Sequence, residues 1–213
     1  MMVFSQPIVR PVFPGPAELN RRADSAMNIH GEKIMLRAVE RSDLPLFQQW
    51  TNDPEIQANL GSWHFPLSQV ALEGWFDAFR HDGLDQRFVI ETAEQGAIGT
   101  TNLTSINWKD RNAFTGMLIG DKALRRRGYG VDVVTALMKY AFEELGLERL
   151  DTTIIEYNKA SLGLYLGRCG WVEEGRKSRV FFRKNKFWSN VILGITRDQY
   201  AAWKSTDQAS QTA

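Results

Sequence analysis

Residues 117–130 read MLIGDKALRRRGYG, and this stretch is the most informative part of the sequence. It begins as an apolar strand, passes through a basic turn and enters an amphipathic helix at Gly130. The start of a helix offers unpaired backbone N–H groups, and glycine lets the backbone approach an anion closely. The stretch therefore predicts an anion site suited to a pyrophosphate. Spacing alone leaves a second interpretation open, in which the glycines form a tight turn and the arginines face solvent.

Two common phosphate-binding motifs do not fit this stretch. A P-loop requires a lysine followed by serine or threonine directly after its second glycine, and no such lysine follows here. A dinucleotide fingerprint requires a third glycine near position 133, where the chain has Val133. This stretch is therefore neither a P-loop nor a dinucleotide-binding fingerprint.

Composition indicates one globular domain without a global electrostatic field. The chain has 213 residues, of which 43% are hydrophobic, with 26 Lys and Arg against 25 Asp and Glu. A balanced charge argues against nucleic acid or an anionic membrane as a partner. Residues 1–27 carry four of the seven prolines and predict a flexible extension, followed by a domain over 28–200 and a C-terminal tail over 201–213.

Cysteine usage and hydropathy suggest a cytoplasmic protein. Cys169 is the single cysteine, so no intramolecular disulfide forms, and no Cys and His pattern predicts a metal site. No apolar run approaches the 18 or more residues that span a bilayer.

Periodicity and turn residues predict the order of elements. Helices are expected at 44–50 with Ser42 and Asp43 as the cap, at 68–81, at 130–145, and after the N-cap Asn158. Strands are expected at 33–38, 87–92, 97–106, 112–119, 150–156 and on both sides of the turn at 184–186.

The loop resembles the Arg/Gln-x-x-Gly-x-Gly/Ala pyrophosphate loop of the GNAT superfamily of N-acetyltransferases, and it matches at every defining position. The resemblance covers about residues 30–197, and its flanking motifs are similar to the branch of ribosomal-protein N-terminal and spermidine acetyltransferases. Those motifs are 36–38 with 42–43, 50–55, 158–161 with 164–165, 170–171, 174–176 and 187–190. The resemblance implies an α/β fold with a mixed, mostly antiparallel sheet of six to seven strands, a central splay and about four helices.

The same resemblance implies acetyl-CoA as the cofactor. Backbone groups of Met117, Leu118 and Ile119 are expected to pair with its pantetheine arm. Its pyrophosphate is expected on the N–H groups of Arg126, Arg127, Gly128, Tyr129, Gly130 and Val131. Arg125 or Arg126 is expected to reach the 3′-phosphate, and Asn158 and Ser161 to face the cofactor from the next helix.

The resemblance also implies a tyrosine that protonates the departing thiolate, and counting seven residues from Asn158 gives Tyr165. Family members place a Gly-aromatic pair four residues after this tyrosine, whereas Gly170 lies five after Tyr165. Counting back from Gly170 gives Leu166 instead. An extra residue at the helix end, with Gly167 as a left-handed C-cap, keeps Tyr165 in register. A half-buried tyrosine with a purely structural role stays the alternative.

Several groups are open as the general base. Glu156 at the end of its strand is the first choice, with Glu91, His64 and transfer through water as alternatives. Cys169 is expected to be a packing residue.

The acceptor is expected to bind beside residues 56–67 and the final hairpin. Trp63, His64 and Phe65 make this segment aromatic, which favours an amine on a partly apolar or ring-shaped body over spermidine. A protein N-terminal amine, an amino sugar and an amine-bearing antibiotic stay open, as does a homodimer. The rival function is a non-catalytic acyl-CoA-binding module.

Overall fold

The protein is described here by a computed structural model that covers residues 27–61, 65–79 and 83–211. The predicted N-terminal extension lies outside the described residues except for Met27. Trp63 and His64 lie outside them as well.

The strands follow the predicted order closely. They are β1 (Ile29–His30), β2 (Met35–Ala38), β3 (Gln86–Thr92), β4 (Gly96–Asn107), β5 (Asn112–Ile119), β6 (Arg149–Ile155), β7 (Val172–Arg183) and β8 (Lys186–Thr196). These eight strands of the described residues form one sheet in the order β1-β2-β3-β4-β5-β6-β8-β7. Neighbouring strands are antiparallel except β5 and β6, which are parallel. The mixed, mostly antiparallel sheet is confirmed, and the two-residue β1 raises the strand count above the six or seven expected.

The helices are α1 (Leu44–Thr51), α2 (Pro54–Asn59), α3 (Gln69–Ala78), α4 (Tyr129–Lys139), α5 (Lys159–Arg168) and α6 (Arg197–Gln211). A π-helical turn at Tyr140–Glu144 continues α4, and short 3-10 turns lie at Arg41–Asp43 and Lys122–Leu124. No helix among residues 27–61, 65–79 and 83–211 is long and apolar enough to cross a membrane.

Each face of the sheet has its own hydrophobic core. On one face, α4 and the π-helical turn that continues it bury Val133, Leu137 and Ala141 together with residues of α5 and α6. On the other face, Phe47 and Trp50 of α1 pack with Leu72 of α3. The sheet therefore separates a helical layer that begins at the glycine-containing loop from a layer that contains the predicted acceptor segment.

Three expectations about the helices need correction. First, α2 was not predicted, because its six residues bury only Ile56 and show no helical period; its signals are the cap Asp53 and Pro54 at its first position. Second, Asp43 does not simply cap α1: its carboxylate accepts from the Glu40 N–H at 2.8 Å and pairs with Arg37.

The third correction concerns the C-terminal end of the domain. The tail predicted from residue 201 is the continuation of α6, and the domain does not end at residue 200. Tyr200 is buried against the core, and the Trp203 indole N–H donates to the Arg168 carbonyl at 3.1 Å. A Cβ atom at Gly170, where φ is +73°, would collide with the Trp203 side chain. The last helix is therefore part of the packed domain.

Candidate active site

The central feature of the site is a V-shaped opening between β5 and β6. The two strands pair only at residues 112–114 and 149–151, next to their N-terminal ends. Where they part, the buried Thr152 hydroxyl donates to the Thr115 carbonyl at 2.7 Å and takes the place of a ladder hydrogen bond. Beyond Thr115, the edge of β5 that faces β6 is left without a neighbouring strand. This confirms the predicted splay.

The register of β5 on β4 decides which backbone groups face the splay. Gly120 N–H donates to the Ile98 carbonyl at 2.8 Å, and a Cβ atom at Gly99 would collide with the Leu118 carbonyl. Backbone groups of successive residues point to opposite edges of a strand, so those of Met117 and Ile119 point into the splay. The expectation for Leu118 is corrected, because its peptide groups face β4. The pairing of Met117 and Ile119 with a pantetheine arm stays a prediction.

The loop that follows β5 exposes backbone N–H groups at the start of α4. Arg126 and Gly128 both adopt left-handed conformations, with φ of +63° and +89°. Gly128 is the N-cap, and the first intrahelical bond runs from Asp132 N–H to the Gly128 carbonyl at 3.2 Å. The N–H groups of residues 129–131 precede this bond and have no intrahelical acceptor. Such a concave turn at a helix N-terminus suits a phosphate.

The cations around this loop fall into two groups. Arg125 pairs with Glu55 of α2, and the Lys122 ammonium lies 3.3 Å from Asp53 and 2.8 Å from Glu55. Arg126 and Arg127 are exposed and form no ion pair with a carboxylate of the described part of the chain. Of the two arginines expected to reach a 3′-phosphate, Arg126 is therefore the one that is not already held by a carboxylate.

Helix α5 lines the other side of the splay. The Asn158 side chain accepts from the Ser161 N–H at 3.2 Å, as expected of its N-cap, and Ser161 is half-buried. The expectation that Gly167 ends the helix is wrong: α5 continues through Arg168, and Gly170 has the positive φ. The extra residue thus lies within the helix.

Tyr165 is buried on the inner face of α5. Its ring meets the Trp171 ring edge-on at 5.0 Å between centroids. Tyr165 and Thr115 border the same packed part of the core, which has no room for a water molecule. Burial raises the pKa of the Tyr165 hydroxyl, so this group stays protonated at physiological pH. Leu166, the alternative for this position, is about one third exposed and offers no proton.

Glu156 is held at the end of β6 in a way that weakens it as a base. The Ser189 N–H donates to its Oε1 at 2.7 Å, and the Glu156 N–H returns a bond to the Ser189 carbonyl at 3.1 Å. The hydrogen bond from Ser189 is the main reason that the pKa of Glu156 lies below its ordinary value, with smaller contributions from Arg176 and Lys186. A carboxylate of lowered pKa is a poor proton acceptor near neutral pH. This argues against our first choice for the base.

The other titratable candidates are equally constrained. Glu91 lies on β3, two strands from β5 in the sheet, and pairs with Arg37. Cys169 is fully buried, and burial raises the pKa of its thiol to about 12, as suits a packing residue. His64 lies outside the described residues.

On the acceptor side, α2 and the residues after it pack against the β7–β8 hairpin. The Tyr157 hydroxyl donates to the Ala58 carbonyl, and a Cβ atom at Gly61 would lie 3.2 Å from the Phe181 ring. Phe65 is about two thirds exposed. The structure thus brings α2 next to the end of β6, a contact that no local sequence pattern signals.

Comparisons with known proteins identify the family. Residues 33–172 match the model of the acetyltransferase (GNAT) domain. An uncharacterized N-acetyltransferase of the SPbeta prophage in Bacillus subtilis is 24% identical over 170 residues, which are 80% of this chain and 93% of the relative. Spermidine N(1)-acetyltransferase of Vibrio cholerae is 27% identical over 171 residues, covering 79% and 95% of the two chains. A crystal structure of the Vibrio cholerae spermidine N-acetyltransferase with CoA and spermine superposes with a TM-score of 0.74 at 27% identity, covering 79% and 98%.

Proposed function

Because the chain belongs to the GNAT acetyltransferase family, we propose that it acetylates a small molecule that carries a single primary amine on a partly apolar body. It is an acetyltransferase that uses acetyl-CoA as the acyl donor and an amine as the acceptor.

The residues around the splay fit an elongated thioester that carries a diphosphate. Met117 and Ile119 present free backbone groups to one edge of an extended arm, as a strand would. The loop at residues 126–131 would hold the diphosphate through backbone N–H groups and the positive end of the α4 dipole. The single observation that carries the proposal is this continuity between the open edge of β5 and the anion-binding turn.

Tyr165 is the proposed proton donor to the departing thiolate. An acid must be protonated before the reaction, and burial keeps the Tyr165 hydroxyl in that state. It lies in the packed core beside Thr115, where the splay closes, so a thioester that reaches the closed end would come near it. Asn158, as the cap of α5, fixes the helix that carries the tyrosine.

The amine must lose a proton, and we propose that water receives it. Glu156 remains ionised but is a weak base, since the Ser189 N–H stabilises its negative charge. The amine would then react from the small fraction that is already neutral at physiological pH. His64 is the alternative base, and a histidine base would give kcat/KM an inflection near neutral pH.

Charge around the acceptor side disfavours a long polyamine. Asp53 and Glu55 are neutralised by Lys122 and Arg125, and Asp77 pairs with Arg41. The adjoining hairpin carries cations over its aromatic rings, with the Lys186 ammonium 4.3 Å from the Trp188 centroid. The ionised Glu156 at the end of β6 already accepts from the Ser189 N–H and lies 4.0 Å from the Arg176 guanidinium. A second or third ammonium of a substrate would therefore lose water here without gaining an unpaired counter-charge. Although a relative acts on spermidine, this arrangement favours a single amine.

The test is an amine panel with acetyl-CoA, in which release of free thiol is followed together with the mass of the product. The panel includes small aromatic and alicyclic amines, amino sugars, peptides with a free N-terminus and spermidine. Acetylation of a monoamine supports the proposal. Binding of acetyl-CoA with no thiol release in the presence of any amine would favour the non-catalytic module. A peptide as the best acceptor would favour a protein N-terminus as the substrate. Cytoplasmic location and a homodimer remain predictions, the second open to light scattering.

A further inference from the structure

The turn between β1 and β2 is clamped onto the first turn of α4. Asp132 accepts three backbone hydrogen bonds, from Glu32 at 2.8 Å, Lys33 at 2.6 Å and Ile34 at 3.1 Å. Gly31 lies so close to this carboxylate that a Cβ atom there would collide with it. The clamp joins residues about a hundred positions apart and fixes the turn beside the anion-binding loop.

This clamp places a lysine side chain at the N-cap of α4. The Lys33 ammonium lies 3.5 Å from the position that a Cβ atom of Gly128 would take. Lys33 is exposed and has no carboxylate of the described ranges within ion-pair distance, unlike Lys122 and Arg125. Asp132 forms no ion pair with the Lys33 ammonium: its carboxylate instead accepts from the three backbone N–H groups of the turn.

We propose that Lys33 is a cofactor-binding residue whose ammonium contacts the diphosphate of acetyl-CoA, and that Asp132 is the positioning residue that holds it there. A lysine offers a compact charge on a flexible stem, which suits a phosphate oxygen that backbone N–H groups already orient. The proposal rests on the proposed use of the loop at 126–131 for the diphosphate. It adds a contact from an element that precedes the loop by nearly a hundred residues.

The test is the dissociation constant of CoA and of dephospho-CoA, measured by calorimetry for the wild type, Lys33→Met and a control, Lys139→Met. Lys139 is an exposed lysine in the last turn of the same helix. Lys33→Met keeps the backbone N–H that Asp132 binds, so the fold is unaffected, which the melting temperature checks. We expect Lys33→Met to weaken both ligands by about 10-fold, and Lys139→Met by less than about 2-fold. The dependence of binding on salt is expected to become shallower in Lys33→Met alone.

The other outcomes distinguish a failure of the Lys33 proposal from a failure of the proposed function. Unchanged affinity for both ligands in Lys33→Met, with a wild type that binds CoA, overturns the Lys33 proposal and leaves the proposed function intact. A loss confined to CoA also overturns it, because that result puts Lys33 on the 3′-phosphate. A wild type that binds neither ligand contradicts the proposed function itself.

The role of Asp132 is tested by a double-mutant cycle. Asp132→Ala releases the turn and is expected to weaken CoA binding to an extent similar to Lys33→Met. In the Lys33→Met background, the same change is expected to have less than about a twofold effect on affinity, because the ammonium it positions is gone. Additive losses would reduce Asp132 to a general stabiliser of α4.

Discussion

The Lys122 ammonium lies 2.8 Å from the Glu55 carboxylate and so ties the turn before the anion-binding loop to helix α2. Arg125, the first residue of the loop motif, pairs with the same carboxylate. Since α2 also contacts Tyr157 at the end of β6, one helix touches both sides of the splay. The ion pairs of Glu55 therefore connect the cofactor loop to helix α2, which lies on the acceptor side.

The first prediction concerns this connection. Glu55→Gln removes a negative charge beside the loop and releases Arg125, so the Michaelis constant for acetyl-CoA is expected to fall by about 2- to 5-fold at low ionic strength. The gain is expected to disappear at high salt. Asp77→Asn, which frees the remote Arg41, serves as the control for a general change in net charge. A higher Michaelis constant in Glu55→Gln would mean that the ion pairs order the loop for binding.

The second prediction tests the loop itself. A Cβ atom at Gly130 would lie 3.3 Å from both Leu164 and Met117, so Gly130→Glu adds bulk and negative charge where the cofactor is expected. We expect acetyl-CoA binding to be lost in calorimetry while the far-UV spectrum is retained. Gly74→Glu is the matched control, because within the described part of the chain no heavy atom beyond its neighbours and its own helix backbone lies within 4 Å of a Cβ there. Normal affinity in a folded Gly130→Glu protein would rule out the site.

The third prediction addresses the proton donor. Tyr165→Phe is expected to lower the turnover number by roughly 10- to 1,000-fold with little change in acetyl-CoA affinity, because it removes only the acidic hydroxyl. Tyr200→Phe is the control: it removes the hydroxyl that donates to Glu143 at 2.6 Å, far from the splay. Full activity of Tyr165→Phe would assign the tyrosine to the core, with solvent as the acid.

Local sequence patterns predicted much of this site, but they could not predict contacts between residues that are distant in sequence. The loop at 125–130 and the helix after it were visible because glycines, arginines and helical periodicity lie in one continuous stretch. The partners of Arg125 and Asp132 were not, since Glu55 is 70 residues from the first and Lys33 is 99 residues from the second.

Two further errors arose because strand register and side-chain packing decide details that the local sequence does not show. The direction of the Leu118 carbonyl depends on its register on β4, and a shift of one residue reverses it. Gly167 and Gly170 look equally suited to end α5 in the sequence. Burial of Cys169 and Trp171 and the close contact with Trp203 decide in favour of Gly170.

The fourth prediction is the pH dependence. The pKa of Glu156 lies below its ordinary value, so this carboxylate is ionised throughout the neutral range and cannot produce an inflection there. We expect kcat/KM to rise about tenfold per pH unit until the pH reaches the pKa of the acceptor amine, and Glu156→Gln to change it by less than about 3-fold. An inflection near pH 6 to 7 that Glu156→Gln abolishes would restore Glu156 as the base. If His64→Gln abolishes it instead, the base is His64.

The last prediction concerns the acceptor. We expect spermidine to be acetylated with a kcat/KM at least about tenfold below that of the best monoamine with an apolar or ring-shaped body, since each extra ammonium must be desolvated without a partner. The carboxylates of Asp53 and Glu55 do not provide one, because both pair with Lys122 and Glu55 also pairs with Arg125. An aromatic face can still hold one cation, which is why a single ammonium is accepted.

The measurement is competition between spermidine and the monoamine for limiting enzyme, with both products quantified by mass. Preferential acetylation of spermidine would show that the ion pairs of Asp53 and Glu55 open when the acceptor binds. Lys122→Met, which removes the cation that pairs with both carboxylates, would then be expected to raise that preference further.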